Sequence, residues 1–178
     1  MGARTVFVDG YNVIRATPAL TTLFHRDIGA AREALLRQVV AQHRHTPHRV
    51  VVVFDGDGPS ESHQPIAGFS RGQVTYSRAG ETADNVIVRM SAAVCDAGGE
   101  ALVVSNDFGV RDGAERQGAR SARVAGPAGA PRLIRQRFTH QQAVRRELEQ
   151  DGEDAEARAA TRRKGNPRQS PRDRRRDH

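Results

Sequence analysis

Acidic residues recur at four places in the sequence where a structural element is expected to begin or end. Asp9, Asp55 and Asp107 follow short apolar runs rich in valine, and Asp84 opens a stretch with helical periodicity. The carboxyl ends of parallel strands meet at one edge of a sheet, so these carboxylates are expected to converge. Mg²⁺ or Mn²⁺ would neutralise them, activate a bound water and stabilise charge on a phosphoryl oxygen. That chemistry suits hydrolysis of a phosphodiester.

Each acid taken alone also has a simpler explanation. Asp and Asn are favoured at helix N-caps and in turns, and an acid in a first helical turn complements the helix dipole. The combination of all four at one expected edge favours a shared site. Asn12 lies one helical turn beyond Asp9, where its amide would contact phosphate or orient a carboxylate.

The elements that must position these residues alternate between strands and helices. Apolar runs predict strands, and 3.6-residue periodicity predicts helices, with a break at Gly113 in the third helix and a polar loop over 56–72. The strands are predicted over 4–8, 50–54, 73–77, 101–104 and 122–125, and the helices over 27–44, 82–97, 108–117 and 132–149. This alternation predicts an α/β fold: a mostly parallel sheet flanked by helices.

The charge of +7 is concentrated at the C-terminal end of the sequence. Residues 158–178 hold nine Lys or Arg and two Asp, whereas residues 1–157 hold 19 basic and 19 acidic residues. From about Gly152 bulky apolar residues almost disappear, which is typical of disorder. We therefore expect a single folded domain over 1–151 and a disordered, Arg-rich basic tail over 152–178. Such a tail would attract RNA electrostatically, or would only keep the chain soluble.

Cysteine usage and hydropathy indicate the compartment. Cys95 is the only cysteine, so an intramolecular disulfide or a cysteine zinc cluster is excluded. The N-terminus lacks the apolar region of a secretory signal, and no apolar stretch is long enough to span a membrane. We expect a cytoplasmic protein with no membrane partner; the sequence predicts no oligomeric state.

Four motifs, in this order and spacing, carry a resemblance to a known family. VFVDGYNVI (6–14), VVVFDG (51–56), ETADNVI (81–87) and LVVSND (102–107) resemble the YacP-like branch of the NYN domain family over about residues 4–150. That family is similar to PIN nucleases and shares their FEN-like α/β fold. The resemblance implies an endoribonuclease dependent on Mg²⁺ or Mn²⁺, acting on single-stranded RNA. It also implies messenger RNA as substrate and the ribosome as a partner.

The resemblance places family site residues on specific positions of this chain. The family's first aspartate falls on Asp9, its asparagine on Asn12, its helix acid on Asp84 and its strand-end aspartate on Asp107. This implies that Asp9, Asp84 and Asp107 hold the metal, directly or through water, and that all four residues are catalytic.

The chain departs from the family pattern after its third strand-end motif. The family more often has T-S-D where this chain has S-N-D, and a glutamine-containing helix where this chain has Arg111 and Asp112. Asp112 is a further candidate metal ligand, or a solvent-facing helix residue. Asp55 and Asp57 match a more peripheral family aspartate, so only a supporting role is expected for them.

Candidate RNA contacts lie in and around the predicted polar loop. Arg71 and Arg78 would contact phosphate, or would be solvated loop charges. Single-stranded RNA is recognised by stacking on aromatic rings or Arg planes, for which Tyr11, Phe69 and Tyr76 are candidates. Tyr11 fits equally well as a core residue packed under the first strand.

Two other functions compete with the nuclease interpretation. Asp55-Gly-Asp57 after a strand resembles a haloacid-dehalogenase phosphatase motif, although Pro59 stands where Thr or Val is expected. The chain's only lysine, Lys164, lies in the tail, so the downstream lysine motif of that class is missing. The second competitor is a non-catalytic RNA- or ribosome-binding module. Asp9, Asp84 and Asp107 are all present, which favours the enzyme.

Overall fold

The computed structural model of the chain describes residues 2–124. These residues form six strands and five helices. In chain order they are β1 (Thr5–Asp9), α1 (Gly10–Ala16), α2 (Pro18–Phe24), α3 (Ile28–His43), β2 (Arg49–Gly58), β3 (Ser62–Ile66), β4 (Phe69–Arg78), α4 (Ala83–Asp96), β5 (Ala101–Val104), α5 (Phe108–Arg116) and β6 (Arg120–Ala122).

The strands form one sheet in the order β3-β4-β2-β1-β5-β6. Neighbours are parallel except for β3, which pairs antiparallel with β4. The central strand β1 is bordered by β2 and β5, with Val8 opposite both Val52 and Val104. The sheet is therefore mostly parallel, as predicted, and its carboxyl edge is built by neighbouring strands from distant parts of the sequence.

Helices cover both faces of the sheet, which explains why the central strands are apolar on both sides. On one face Val6 and Val8 pack in a core with Leu35 and Val39 of α3. On the other face Phe7 packs with residues of α4 and α5. Alternate residues of β1 therefore enter opposite cores, and the strand has no solvent-facing side. This rigid centre ends at Asp9.

Most of the predicted elements are confirmed. The helices predicted over 27–44 and 82–97 correspond to α3 and α4, capped at their starts by Asp27 and Thr82. The strands predicted over 4–8 and 101–104 correspond to β1 and β5. In these stretches hydrophobic period and capping residues agree, so the sequence pattern locates the elements to within about two residues.

The prediction of a polar loop over 56–72 is wrong. β2 continues to Gly58, and β3 forms a hairpin with β4, paired from Phe69 to Tyr76, whose turn contains Gly68 at φ 71°. β3 lies at the sheet edge and is exposed except for Ile66, so its polar residues and Pro65 do not prevent pairing. An edge strand with little apolar content resembles a loop in sequence.

Three smaller expectations also changed. α1 and α2 were not predicted as helices, because seven residues each are too few to show periodicity. α5 is not broken at Gly113: a Cβ there would lie 3.1 Å from a methyl carbon of Val88, so the glycine lets α5 pack closely on α4. The final strand among residues 2–124 is Arg120–Ala122, where the sequence predicts a strand over 122–125.

The remaining expectations concern residues beyond 124. The helix over 132–149, the domain end at 151 and the tail over 152–178 lie outside the described residues and stay predictions. Between residues 2 and 124 the structure has no helix with the length and apolar character needed to cross a membrane.

Candidate active site

The carboxyl edge of the central strands brings the predicted acids together. Asp9 ends β1 opposite Val53, and Asp55 lies two residues further along β2. Val8 lies opposite Val104 of β5, so Ser105 follows beside the end of β1. Sheet register therefore places these side chains at one edge, as the sequence predicts.

Asp9 is the buried centre of this edge, with its residue only 6% exposed. Its Oδ1 accepts a hydrogen bond from the backbone N–H of Asn12 at 3.2 Å, which caps α1. Its Oδ2 accepts a hydrogen bond from Ser105 Oγ at 2.8 Å. Burial raises the pKa of Asp9 to about 6; the two hydrogen bonds act against this rise, whereas the charges of Asp84 and Asp55 add to it. Each oxygen keeps a lone pair for a further ligand.

Ser105 connects Asp9 to Asp107. Its hydroxyl donates to Asp9 and accepts from the Asp107 amide at 3.0 Å, and its residue is fully buried. Asp107 in turn caps α5, accepting from the Val110 amide at 3.2 Å. Behind this turn the buried Arg111 donates to the Ser105 carbonyl at 2.9 Å. Arg111 thus holds the Ser105–Asp107 turn rather than facing a substrate.

Asp84 and Asp55 form the second half of the edge, at the start of α4. Asp55 Oδ1 accepts from the Ala83 amide at 2.8 Å, so a residue of β2 holds the helix that carries Asp84. The pKa of Asp84 is raised by partial burial of its carboxyl and by the charges of Asp107 and Asp55. The charge of Asp55 thus raises the pKa of both Asp9 and Asp84, so Asp55 lies closer to these acids than the sequence predicts.

Two asparagines connect the edge across the sheet. Asn12 Oδ1 accepts from the Asn106 amide at 2.7 Å, and Asn106 Oδ1 accepts from the Val124 amide at 3.0 Å. The NH₂ group of Asn12 makes no hydrogen bond with any residue in the range 2–124, so it has two donors for an anionic oxygen. Sequence reasoning identified Asn12 and missed Asn106 and Ser105, although both stand in the S-N-D motif.

The chemistry of these donors fits a hard divalent cation. Asp9, Asp55, Asp84 and Asp107 make no salt bridge within the described residues, and the pKa values of Asp9 and Asp84 are raised chiefly by burial and further by the charges of neighbouring acids. Among residues 2–124 no three Asp, Glu, His or Cys side chains are close enough to enclose an ion by themselves. The arrangement therefore suits Mg²⁺ or Mn²⁺ held by one or two carboxylates, with waters and substrate oxygens completing the shell.

Two other predicted acids lie apart from this set. Asp112 is ion-paired with Arg116 at 2.7 Å, one turn further along α5, and does not contribute to the raised pKa of Asp9 or Asp84. Asp57 is exposed near the end of β2. The structure therefore gives neither residue a contact with the acids at the carboxyl edge.

The two arginines predicted to contact RNA lie in different places. Arg71 is near the start of β4, at the opposite edge of the sheet, and donates to the carbonyls of Arg44 and Thr46 at 3.2 and 2.9 Å. Arg78 ends β4 on the acidic side and is paired with Glu81 at 3.3 Å, with its side chain 64% exposed. Only Arg78 thus lies near the acids.

Tyr11 lies in a half-buried aromatic cluster. Its ring makes edge contacts with Phe24 and Phe54, at centroid distances of 5.8 and 5.0 Å. The Arg32 guanidinium lies over Tyr11, Phe54 and Tyr76 and donates to the Tyr11 hydroxyl. The ring is thus engaged on several sides by its own chain, which matches the core alternative more closely than a stacking platform.

Comparison with known proteins places this geometry in a family. The model of the YacP-like NYN domain family matches residues 6–166. A curated relative, the uncharacterized protein YacP of Bacillus subtilis (strain 168), is 29% identical over 103 residues, which are 58% of this chain and 60% of the relative. This chain therefore aligns with about 60% of the length of that relative.

Solved structures agree with this assignment. The crystal structure of a tryptophan-to-leucine mutant of Rae1 (YacP) from Bacillus subtilis matches with a TM-score of 0.56 and 28% identity, covering 67% of this chain and 69% of the other. Another Rae1 (YacP) structure from the same organism matches in fold, with a TM-score of 0.50 and 23% identity over 88% and 80% of the two chains. Both the family resemblance and the PIN-like α/β fold class predicted from the sequence are confirmed. The chain belongs to the YacP-like NYN domain family.

Proposed function

We propose that this protein is an endoribonuclease that hydrolyses single-stranded RNA with Mg²⁺ or Mn²⁺. The observation that carries the proposal is the set of four carboxylates at the carboxyl edge, which have no cationic partner within residues 2–124. Membership of a nuclease-like family supports the same reaction class. Messenger RNA on the ribosome is the proposed substrate, and the cytoplasm the proposed location.

Asp9, Asp84 and Asp107 would hold the cation, one or two of them directly and the rest through water, with Asp55 fixing the start of α4. When bound, the cation would supply an activated water and stabilise charge on the phosphoryl oxygens. Asn12 directs its free NH₂ donors to a phosphate oxygen. Ser105 fixes the carboxylate of Asp9 and the backbone of Asp107 together, which preserves their spacing when substrate enters.

The competing functions differ in what they require of this edge. A dehalogenase-type phosphatase would need Thr or Val where Pro59 stands, and a downstream lysine motif that the sequence lacks. A non-catalytic RNA-binding module would not need four carboxylates without cations beside them, because carboxylates repel phosphate. The acids therefore favour catalysis over binding alone.

Cleavage of labelled single-stranded RNA tests the proposal. The full chain is incubated with Mg²⁺, with Mn²⁺ and with chelator, each with and without ribosomes. Wild type should cut with either metal, and Asp9→Asn should fold and lose activity. Asp96→Asn is the matched control, because Asp96 is exposed at the far end of the helix that carries Asp84. Full activity of repurified Asp9→Asn, or equal cleavage in chelator, would contradict the mechanism.

A further inference from the structure

Phe108 is an exposed aromatic residue directly beside the acids. Its residue is 73% exposed, and among residues 2–124 the only other large apolar residue so exposed is Ile28, at 47%. Phe108 is the first residue of α5, immediately after Asp107. Burying a phenylalanine side chain contributes about 1.5–3 kcal/mol, so a partner that covers this ring would gain part of that free energy.

The backbone around Phe108 is fixed rather than free. Asp107 caps α5 through the Val110 amide, and its own amide is held by Ser105. The neighbouring Asn106 amide donates to Asn12, the residue with free donors for phosphate. A phosphate bound at Asn12 would therefore lie beside the turn whose next residues are Asp107 and Phe108.

We propose that Phe108 is the stacking platform for an RNA base next to the scissile phosphate. The inference rests on the proposed function, because it takes the acids as the cleavage centre. Single-stranded RNA offers unstacked bases, and an exposed aromatic ring binds them with little dependence on sequence. The aromatic candidate considered from the sequence beside the site, Tyr11, is already engaged by its own chain.

Ile28 provides a matched control within the same fold. It follows Asp27, which caps α3 through the Ala30 amide at 2.9 Å, as Asp107 caps α5. Both sequences read Asp, large apolar residue, Gly. The two helices lie on opposite faces of the sheet. Ile28 is thus an exposed apolar side chain in the same local geometry, without a ring to stack.

Equilibrium binding of a short single-stranded RNA tests the platform. A series of oligonucleotides is used, each of which carries 2-aminopurine at a different position. Binding is measured in Mg²⁺ on the Asp9→Asn background, so that no cleavage occurs. On this background, Phe108→Ala should weaken the affinity for RNA about 5- to 150-fold and abolish the quenching of 2-aminopurine fluorescence at one position. Added Phe108→Trp should retain both, and Phe108→Leu should lose the quenching. Added Ile28→Ala should leave the quenching unchanged. Thermal unfolding verifies that each variant folds.

The outcomes separate this inference from the proposed function. Wild-type cleavage with unchanged affinity in Phe108→Ala would overturn the platform alone. Equal losses from Phe108→Ala and Ile28→Ala would also overturn it, because stacking requires a ring. A dimer that Phe108→Ala converts to a monomer, with RNA affinity unchanged, would assign the ring to a protein contact. If wild type neither cleaves nor binds RNA, the proposed function fails and the platform fails with it. RNA binding that depends on Phe108 without any cleavage would overturn the nuclease, and with it the placement of the ring beside a scissile phosphate, and would leave Phe108 as a base-stacking residue of a binding module.

Discussion

Replacing Asp9 by Asn should stabilise the metal-free protein at neutral pH and not at acid pH. The pKa of Asp9 is raised from 3.8 to about 6 in the folded chain, chiefly by burial. Because this pKa is raised in the folded state, the stability that protonated Asp9 contributes is fully present below pH 3.8 and is lost as the pH rises through about 6. At pH 7.5 the ionised Asp9 therefore lowers the free energy of unfolding by about 3 kcal/mol.

Asparagine removes this charge and keeps most of the local hydrogen bonding. Its Oδ1 can still accept from the Asn12 amide, while its NH₂ would face Ser105 Oγ, which already accepts from Asp107. A hydrogen bond with poorer geometry costs about 1 kcal/mol. Asp9→Asn should thus gain about 2 kcal/mol at pH 7.5, or about 4–8 °C in Tm, and lose about 1 kcal/mol near pH 4.

Paired unfolding curves in chelator measure this difference. Wild type, Asp9→Asn and the control Asp96→Asn are unfolded by denaturant at several pH values from 4 to 7.5. The quantity of interest is the variant's difference from wild type, because carboxylates that do not interact with Asp9 affect both chains equally. A difference for Asp9→Asn that is constant over this range, or negative at pH 7.5, would refute the account of Asp9 as a desolvated carboxylate.

Three further changes test other parts of the structure. Gly10→Ala should lower stability by about 1–3 kcal/mol in denaturant unfolding, because a Cβ there would lie 2.3 Å from Phe54 Cε1. Gly58→Ala is its control, since that Cβ would lie at an ordinary 3.5 Å from the nearest atom; equal losses would contradict the packing argument. Ser105→Ala should lose about 1–3 kcal/mol at neutral pH, because it removes a buried hydroxyl that both donates and accepts; unchanged unfolding curves would contradict this. Deleting residues 158–178 should weaken RNA binding and flatten its salt dependence, as counterion release requires; an unchanged salt slope would show that the tail is not an RNA anchor.

The convergence of the acids was predictable because it follows from topology. Valine-rich runs indicated buried parallel strands, and parallel strands share a carboxyl edge, so Asp9 and Asp107 had to meet. Asp84 could be placed with them because Thr82, the N-cap residue, identifies the start of α4 in the sequence. The contact of Asp55 with the Ala83 amide is not marked in the sequence, because it depends on where that helix packs, which no local pattern records.

The wrong or incomplete expectations concern residues whose surroundings come from other segments. The sequence presents Arg71 as a phosphate contact or a solvated loop charge, but β4 begins at Phe69, ahead of the strand predicted over 73–77, and this places Arg71 at the far edge of the sheet. Tyr11 is held by Arg32, 21 residues away in sequence. Phe108 gave no periodic signal because a single exposed ring becomes informative only once its neighbours are known.

Three helices begin at the same edge that collects the carboxylates. Asp9 caps α1, Asp107 caps α5, and Asp55 receives the first amide of α4. Each helix N-terminus carries about half an elementary positive charge, so the backbone offsets about 1.5 of the four negative charges. About 2.5 of the negative charges remain unbalanced by the backbone. The helix dipoles thereby lower the cost of folding around this repulsive centre, and under the proposed function they would also limit how tightly a cation is held.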